Sequence, residues 1–432
     1  MNRAGWVAIT LGVLGLASCD GTGPGSPEDI VVNPRGPGGP GPLQQGGLPE
    51  PSVRPPLGGP IDGLDPAELA AFERGRELFE KRFRPSEGMG PLYNATACSS
   101  CHSTPIAGGS SQLYRNFYIA LAGIPGTQFS IPGLPSLVIP AFGSGLSFSL
   151  EGGRTVIPDM VGPFPVTSAQ RNAVPVFGTG LFEFVSNATI IALSDPNDTI
   201  TPDGISGRYN TDEVGIGRFG VKAQSNNVEL FTRGPLMNQM GITTDPFEGS
   251  AATVSMAFRQ AGSGPNDPTF DFDGVPDPEL ATADLGDLIA FTRFLAPVGK
   301  LEPFSAEANR GQGLFEQIGC TDCHVPSLPS SRGPVEAYTD LLLHDMGSAL
   351  ADGISVGTPQ ASSISPGTTD SEWRTQPLWG VSLHGPWLHD GRAETLHEAI
   401  EMHAGEGQTS RDAYMALPSI RQADIIEFLE HL

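Results

Sequence analysis

Two short stretches hold the residue types with the most definite chemistry. Cys98-Ser99-Ser100-Cys101-His102 and Cys320-Thr321-Asp322-Cys323-His324 each set two thiols three positions apart and place a histidine directly after the second. That arrangement suits covalent capture of a haem, each thiol adding across one vinyl group and the imidazole ligating the iron. A single copy would read equally well as a redox dithiol or half of a zinc site. The second copy argues against that: with 8 histidines in 432 residues, a chance histidine behind both pairs has odds of about one in three thousand. The expectation is two covalently bound c-type haems, attached through Cys98, Cys101, Cys320 and Cys323, with His102 and His324 as iron ligands.

The elements that must position these groups are repeated as well. Arg74-Gly75-Arg76-Glu77-Leu78-Phe79 precedes the first motif and Arg310-Gly311-Gln312-Gly313-Leu314-Phe315 the second. The first run lies in a helix opened by Asp65-Pro66-Ala67-Glu68, a capping box with proline at the first helical position. Leu69, Phe72, Leu78, Phe79 and Phe83 mark its apolar face. Eighteen residues, Glu80 to Ala97, separate the first run from its motif and only four separate the second, so the first half carries an insertion. Beyond each motif comes an arginine with a Pro-aromatic-Gly echo: Arg171 with Pro175-Val176-Phe177-Gly178, and Arg374 with Pro377-Leu378-Trp379-Gly380. Each half then closes on a helix. Asp277-Pro278 reads as the cap of one carrying Leu285, Leu288, Ile289, Phe291, Phe294 and Leu295, and Ser419 to Gln422 as a capping box for Ile425, Ile426, Phe428, Leu429 and Leu432.

The cores Asp287-Leu288-Ile289-Ala290-Phe291 and Asp424-Ile425-Ile426-Glu427-Phe428 match in register. Helix, haem motif, loop and closing helix, twice over, is the order of a cytochrome c domain. It predicts a mainly α chain with an N-terminal haem domain over 65–298 and a C-terminal one over 299–432. Ser147-Phe148-Ser149-Leu150 and Arg154-Thr155-Val156-Ile157, around Glu151-Gly152-Gly153, read as a hairpin, so the long loops of the first half carry some β decoration.

Composition narrows the function classes. The balance of 24 basic against 48 acidic residues gives a net charge of −24, which repels nucleic acid and attracts a basic redox partner. Four of the five cysteines belong to the haem motifs, so nothing remains for a disulfide. The fifth is Cys19. Ala4 to Ala17 is apolar or small behind a single Arg3, too short for the roughly 20 residues of a membrane span, and reads as a secretory signal over 1–18. Leu16-Ala17-Ser18-Cys19 resembles the bacterial lipoprotein cleavage box, which makes Cys19 a lipidation site. Residues 19–64 are then a Gly/Pro-rich tether that cannot bury enough surface to order itself and reaches on the order of 35 Å. The expected location is the bacterial cell envelope, anchored to the membrane by lipid and periplasm-facing or extracytoplasmic.

The second half adds Glu372-Trp373-Arg374-Thr375-Gln376, Leu388-His389-Asp390-Gly391-Arg392-Ala393 and Thr395-Leu396-His397-Glu398-Ala399-Ile400. Elsewhere stand Asp203-Gly204-Ile205-Ser206-Gly207-Arg208, Gly217-Arg218-Phe219-Gly220 with Lys222-Ala223, Met240-Gly241-Ile242-Thr243, and Leu343-His344-Asp345-Met346-Gly347. This combination, over residues 65 to 432, resembles the di-haem oxidoreductase family of peroxidase-like proteins, related to bacterial di-haem cytochrome c peroxidases and to MauG.

The resemblance implies two tandem class-I cytochrome c-like domains, peroxide chemistry at the N-terminal haem and electron entry at the C-terminal one. The entering electrons would come from a small redox donor of the cytochrome c or cupredoxin type. It places the distal ligand of the C-terminal haem 14 positions after His389, at His403, with Met402, Met346 and His344 as rivals. It also puts a proton-moving glutamate at Glu183. His102 is the only histidine in the first 323 residues, so the N-terminal haem is expected to keep an open or water-filled position, with a methionine or a ligand lent by the second domain as the alternatives.

Arg171, Arg218, Lys222, Arg374 and Arg392 are candidates to hold haem propionates, because a guanidinium matches a carboxylate in a fork. Asp271-Phe272-Asp273-Gly274 with Asp277, and Asp195 with Asn197 and Asp198, have the oxygen density of calcium loops, although neither matches an EF-hand. One departure stands out. The related enzymes keep a tryptophan from the first domain between the haems, whereas here Trp373, Trp379 and Trp387 all lie in the second half. A di-haem electron carrier with both irons blocked, or a haem sensor of small ligands, are the competing classes.

Overall fold

The computed structural model describes residues 56–113, 116–131, 134, 137–143, 150–151, 154–155, 157–211, 215–245, 274–355 and 367–432. The expected signal over 1–18, Cys19 and most of the expected tether lie outside these residues. Helix α1 (Pro66–Glu80) starts as its sequence demands: the Asp65 carboxylate accepts from Ala67 N and Glu68 N, each at 2.8 Å, and Glu68 reaches back to Asp65 N at 2.9 Å. It buries Phe72, Gly75 and Phe79. Helices α2 (Asn187–Leu193) and α3 (Val228–Met240) follow, and α4 (Thr282–Phe294) turns Leu285, Leu288, Ile289, Phe291 and Phe294 inward. Helix α5 (Ala306–Gln317) is capped by Ser305, whose hydroxyl accepts from Ala308 N at 2.9 Å. The chain ends with α6 (Leu396–Glu401), α7 (Gln408–Ala416) and α8 (Ser419–His431). Among the described residues no helix is long and apolar enough to cross a membrane.

The repeated sequence signature becomes a repeated contact. Where α1 crosses α4, a Cβ on Gly75 would sit 1.9 Å from the Asp287 carbonyl oxygen and 2.8 Å from the Phe291 Cβ. Where α5 crosses α8, a Cβ on Gly311 would sit 1.9 Å from the Asp424 carbonyl oxygen and 2.9 Å from the Phe428 Cβ. Only glycine permits either approach. Beside each glycine an arginine forks onto an aspartate. Arg74 Nε and Nη2 reach Asp287 at 2.7 and 2.8 Å, and Arg310 Nε and Nη2 reach Asp424 at 3.2 and 2.9 Å. One turn further on, Phe79 packs on Phe291 with ring centroids 4.9 Å apart, and Phe315 on Phe428 at 5.4 Å. Because backbone carbonyls line the contact, side-chain repacking cannot make room for a methyl group. Gly75→Ala and Gly311→Ala should each cost at least about 2 kcal/mol. Denaturant unfolding checks this, and an unshifted midpoint would contradict it.

Two expectations about helix starts need correction. Ser419 is the first residue of α8 rather than its cap. Pro418 takes the cap position, its carbonyl accepting from Arg421 N at 2.7 Å and Gln422 N at 3.1 Å, so no capping box forms. Helix α4 begins at Thr282 with Ala281 before it. Asp277 is drawn away, accepting from the Thr243 hydroxyl, while Glu279 accepts from Thr243 N at 2.6 Å.

The β decoration exists and is ordered. Strands β1 (Leu92–Tyr93) and β4 (Phe142–Gly143) pair, and β5 (Leu150–Glu151) pairs with β6 (Arg154–Thr155) within the expected hairpin, whose residues 147–149, 152, 153 and 156 lie outside the described residues. A four-stranded antiparallel sheet has the order β3 (Val138–Ile139), β2 (Phe117–Ala122), β8 (Phe164–Arg171), β7 (Met160–Val161). From Ile119 on, strand β2 is buried on both faces, Ile119 and Leu121 against Val138 and Ile354, Ala120 and Ala122 against Ile131 and Leu134. In the second half β9 (Leu343–Asp345) pairs with β10 (Glu372–Arg374).

The larger apolar core runs from Phe72 and Phe79 through Phe182 and Phe291 to Leu328, Leu342 and Trp379. It thus crosses the boundary expected near residue 298, and Ser52–Leu432 form one compact unit. A second cluster, around Phe315, Tyr414 and Phe428, lies wholly in the C-terminal part.

Candidate haem sites

Each haem motif begins as one tight helical turn at the end of its helix pair, Cys98–Ser100 and Cys320–Asp322. The histidine amide returns to the first cysteine carbonyl, His102 N to Cys98 O at 3.0 Å and His324 N to Cys320 O at 3.0 Å. The rings are then fixed in the same way. His102 packs on Phe79 at 6.1 Å and 52°, and His324 on Phe315 at 6.1 Å and 54°. His102 Nδ1 donates to the Gly109 carbonyl at 3.0 Å and His324 Nδ1 to the Tyr338 carbonyl at 2.9 Å.

A carbonyl only accepts, so Nδ1 holds the proton in each neutral ring, and Nε2 of His324 keeps its lone pair, the state required of an iron ligand; His102 also meets the Val174 backbone. Burial favours the neutral ring. It lowers the pKa of His102 and takes that of His324 down to about 4. Tyr338 adopts a φ of 51°, unusual for a residue with a side chain, at the point where its carbonyl meets His324.

The second motif opens onto a cavity of about 260 Å³ bordered by Cys320, Cys323 and His324, and also by His403. Leu378, Ile400, Ile425 and Leu429 give it apolar walls. His403 follows α6, and its Nδ1 donates to the Ala399 carbonyl at 2.7 Å, which again leaves Nε2 free. Burial lowers its pKa too. Two neutral imidazoles of one tautomer, two thiols and apolar walls on a single void fit a haem.

Of the rival ligands, Met402 caps α6 and is not among the residues bordering the cavity, whereas Met346 is. His344 borders it as well, but both its ring nitrogens are engaged by carboxylates, Nε2 with Asp340 at 2.8 Å and Nδ1 with Glu406 at 2.7 Å. It has no lone pair to offer.

Residues 164–432 match the sequence model of the family described as "di-haem oxidoreductase, putative peroxidase". The chain belongs to that family. Membership makes it a peroxidase-like oxidoreductase and implies haem cofactors. The matched stretch contains the second haem motif and ends the chain. The first motif precedes it, and its case rests on the duplicated geometry around His102.

A search of the curated proteins gives no match. Among solved structures, hydrazine synthase of Kuenenia stuttgartiensis, pressurised with xenon, is similar at 17% identity over 92% of this chain and 100% of that one, with a TM-score of 0.36. A MauG-like protein associated with microbial copper homeostasis shares 17% identity over 90% of this chain and 95% of its own, with a TM-score of 0.36. The diheme peroxidase BthA of Burkholderia thailandensis shares 15% identity over 86% and 87%, with a TM-score of 0.38.

The candidate cations of this di-haem oxidoreductase separate into groups. Arg374 borders the cavity and is buried, donating, among the described residues, to neutral acceptors: Gly220 O at 3.0 Å, Arg218 O at 3.2 Å and Gln376 Oε1 at 2.8 Å. Burial takes its pKa down to about 10. Lys222, 1% exposed, gives its ammonium to the carbonyls of Thr369, Asp370 and Glu372 at 2.9, 3.3 and 2.6 Å and lies 3.6 Å from the Trp373 ring centroid. Burial takes its pKa down to about 7.

Arg171 is buried nearby and pairs with Asp352, a partner the sequence did not suggest. Arg218 donates to Asn187, and Arg392 sits at the surface on Asp390 and the Ala349 carbonyl. Arg374, Lys222 and Arg171 are therefore brought together around β10 and Trp373. The Trp373 ring also stacks on His389 at 3.6 Å and 11°, while Trp379 stacks on Phe182 at 5.4 Å and 13°.

Glu183 ends the turn Thr179–Phe184 with both oxygens engaged. Oε1 accepts from Val228 N at 2.8 Å, capping α3, and Oε2 accepts from Arg293 Nε at 2.6 Å. The Asp195 carboxylate receives the amides of Thr199, Ile200 and Thr201, and that of Asp198 receives those of Asp203 and Gly204, so both close their own loop. Asp271 and Asp273 lie outside the described residues.

Proposed function

We propose that the chain is an exported, lipid-anchored di-haem peroxidase that takes electrons from a small basic donor protein. The observation that carries the reading is the duplicated cradle: Gly75 and Gly311, Phe79 and Phe315, and a carbonyl-tied histidine beside each pair of thiols. Cys98 and Cys101 would hold one haem covalently, and Cys320 and Cys323 the other. His102 and His324 would supply the proximal nitrogens, with His403 as the second ligand of the C-terminal haem. Haem, when bound, supplies one-electron redox chemistry at both places.

The protein's share of the work is separate from that. Phe79, Phe315 and the apolar walls keep water out. Gly109 and Tyr338 hold the ring tautomers. Arg374 and Lys222, buried and donating to neutral acceptors, are placed to balance the propionates. Glu183 would move a proton between the two peroxide oxygens at its Oε atoms. The net charge of −24 suits a basic donor, and Leu16-Ala17-Ser18-Cys19 suits lipidation.

Electron paramagnetic resonance of the oxidised protein, repeated after one-electron reduction, tests the reading. One high-spin haem that binds cyanide, in a protein that turns over peroxide, is expected. Two low-spin haems in both states would make the chain an electron carrier, and ligand binding without turnover would make it a sensor.

A further inference from the structure

Two motifs have no part in the chemistry so far, Asp203-Gly204-Ile205-Ser206-Gly207-Arg208 and Leu343-His344-Asp345-Met346-Gly347, and the fold brings them together beside the second haem motif. Arg208 and Leu343 exchange backbone hydrogen bonds at 3.0 and 2.8 Å, which sets Gly207 against the His344 ring. A Cβ on Gly207 would lie 2.9 Å from His344 Cε1, so glycine leaves the ring its place. The ring is held at both ends, Nε2 2.8 Å from Asp340 Oδ2 and Nδ1 2.7 Å from Glu406 Oε2. Each carboxylate is fixed in turn. Asp340 accepts from Leu342 N at 2.9 Å, and Glu406 accepts from Ser206 N at 3.1 Å, from the Ser206 hydroxyl and from Asp345 N at 3.2 Å. All three side chains are buried, 3% exposed for His344 and Asp340 and 9% for Glu406. His344 Nδ1 is 3.6 Å from Cys323 Sγ.

Carboxylates accept and do not donate, so a ring between two of them must donate from both nitrogens and is an imidazolium. We propose that the row Asp340, His344, Glu406 is a fixed charge array set against the thioether sulfur of Cys323, and that it tunes the redox potential of the haem held by His324. His344 and Glu406 are positioning residues here, acting on the haem through the field at its attachment point. The proposal rests on the reading that Cys320 and Cys323 carry a haem. Burial, the largest influence on His344, opposes the charged ring, but Asp340, the Cys323 sulfur and Glu406 together outweigh it and hold the pKa well above its ordinary value. A cation at this distance favours the reduced haem and an anion the oxidised one, and low-dielectric surroundings screen neither strongly.

The test is a spectroelectrochemical titration of the haem-loaded full chain, following the low-spin band, in two variants. His344→Gln removes the cation and leaves two carboxylates, so the potential of the second haem should fall. Glu406→Gln removes an anion and keeps an oxygen to accept from Nδ1, so the same potential should rise. Each shift should be about tenfold or more in the redox equilibrium, about 59 mV for a one-electron couple, with the first haem unmoved. A merely structural role would move both variants the same way, or neither, and either result overturns the proposal. If His344→Gln does not fold, Glu406→Gln decides alone, and an unmoved or lowered potential overturns the proposal. A protein whose mass shows no haem at Cys320 and Cys323 would overturn the haem reading first. Same-direction shifts in a loaded protein overturn this proposal only.

Discussion

Glu183→Gln should slow peroxide reduction by about a hundredfold or more, the scale of a lost general acid–base group, and leave both haem spectra in place. The geometry also supplies the control. Glu183 caps α3 through Val228 N and pairs with Arg293 Nε, so its replacement could act by loosening a brace. The glutamine oxygen can still accept from Val228 N, and only the ion pair and the titratable proton are lost. Arg293→Met removes the same ion pair and leaves the carboxylate. If Glu183 moves a proton, the glutamine variant alone loses turnover. Equal losses in the two variants would make it a brace between α3 and α4.

His403→Ala should convert one haem completely from low-spin to high-spin. The cavity bordered by His324 and His403 has apolar walls, and a methyl group there offers the iron no replacement ligand. His344 cannot step in, because Asp340 and Glu406 occupy both of its nitrogens. Optical and electron paramagnetic resonance spectra check the change. An unchanged low-spin signal would pass the ligand to Met346, which also borders the cavity.

The parts of this architecture legible in the sequence were those that repeat at fixed spacing. Arg74-Gly75 with Phe79 and Arg310-Gly311 with Phe315 look alike because each must solve one helix crossing, glycine against a carbonyl and arginine onto an aspartate. The capping box at Asp65 was legible because all its partners are local. The box at Ser419 was a false reading of the same kind, since the local pattern could not show that Pro418 would take the cap.

What stayed hidden depends on residues far apart in the chain. Asp352 meets Arg171 across 181 positions, and Glu406 meets His344 across 62. The carbonyls that fix His102 and His324 come from Gly109 and Tyr338, and a backbone carbonyl leaves no mark in residue type. Strand β2 was hidden for another reason. Apolar at every position and buried on both faces from Ile119 on, Phe117–Ala122 lacks the alternation that announces a strand.

The most direct test of the central claim is the intact mass of the purified protein, wild type and with Cys98 and Cys101 both changed to serine. Two duplicated cradles predict two covalent haems in the wild type and one in the variant, that one attached at Cys320 and Cys323. A wild-type mass with one haem or none, or a variant that still carries two, would contradict the account.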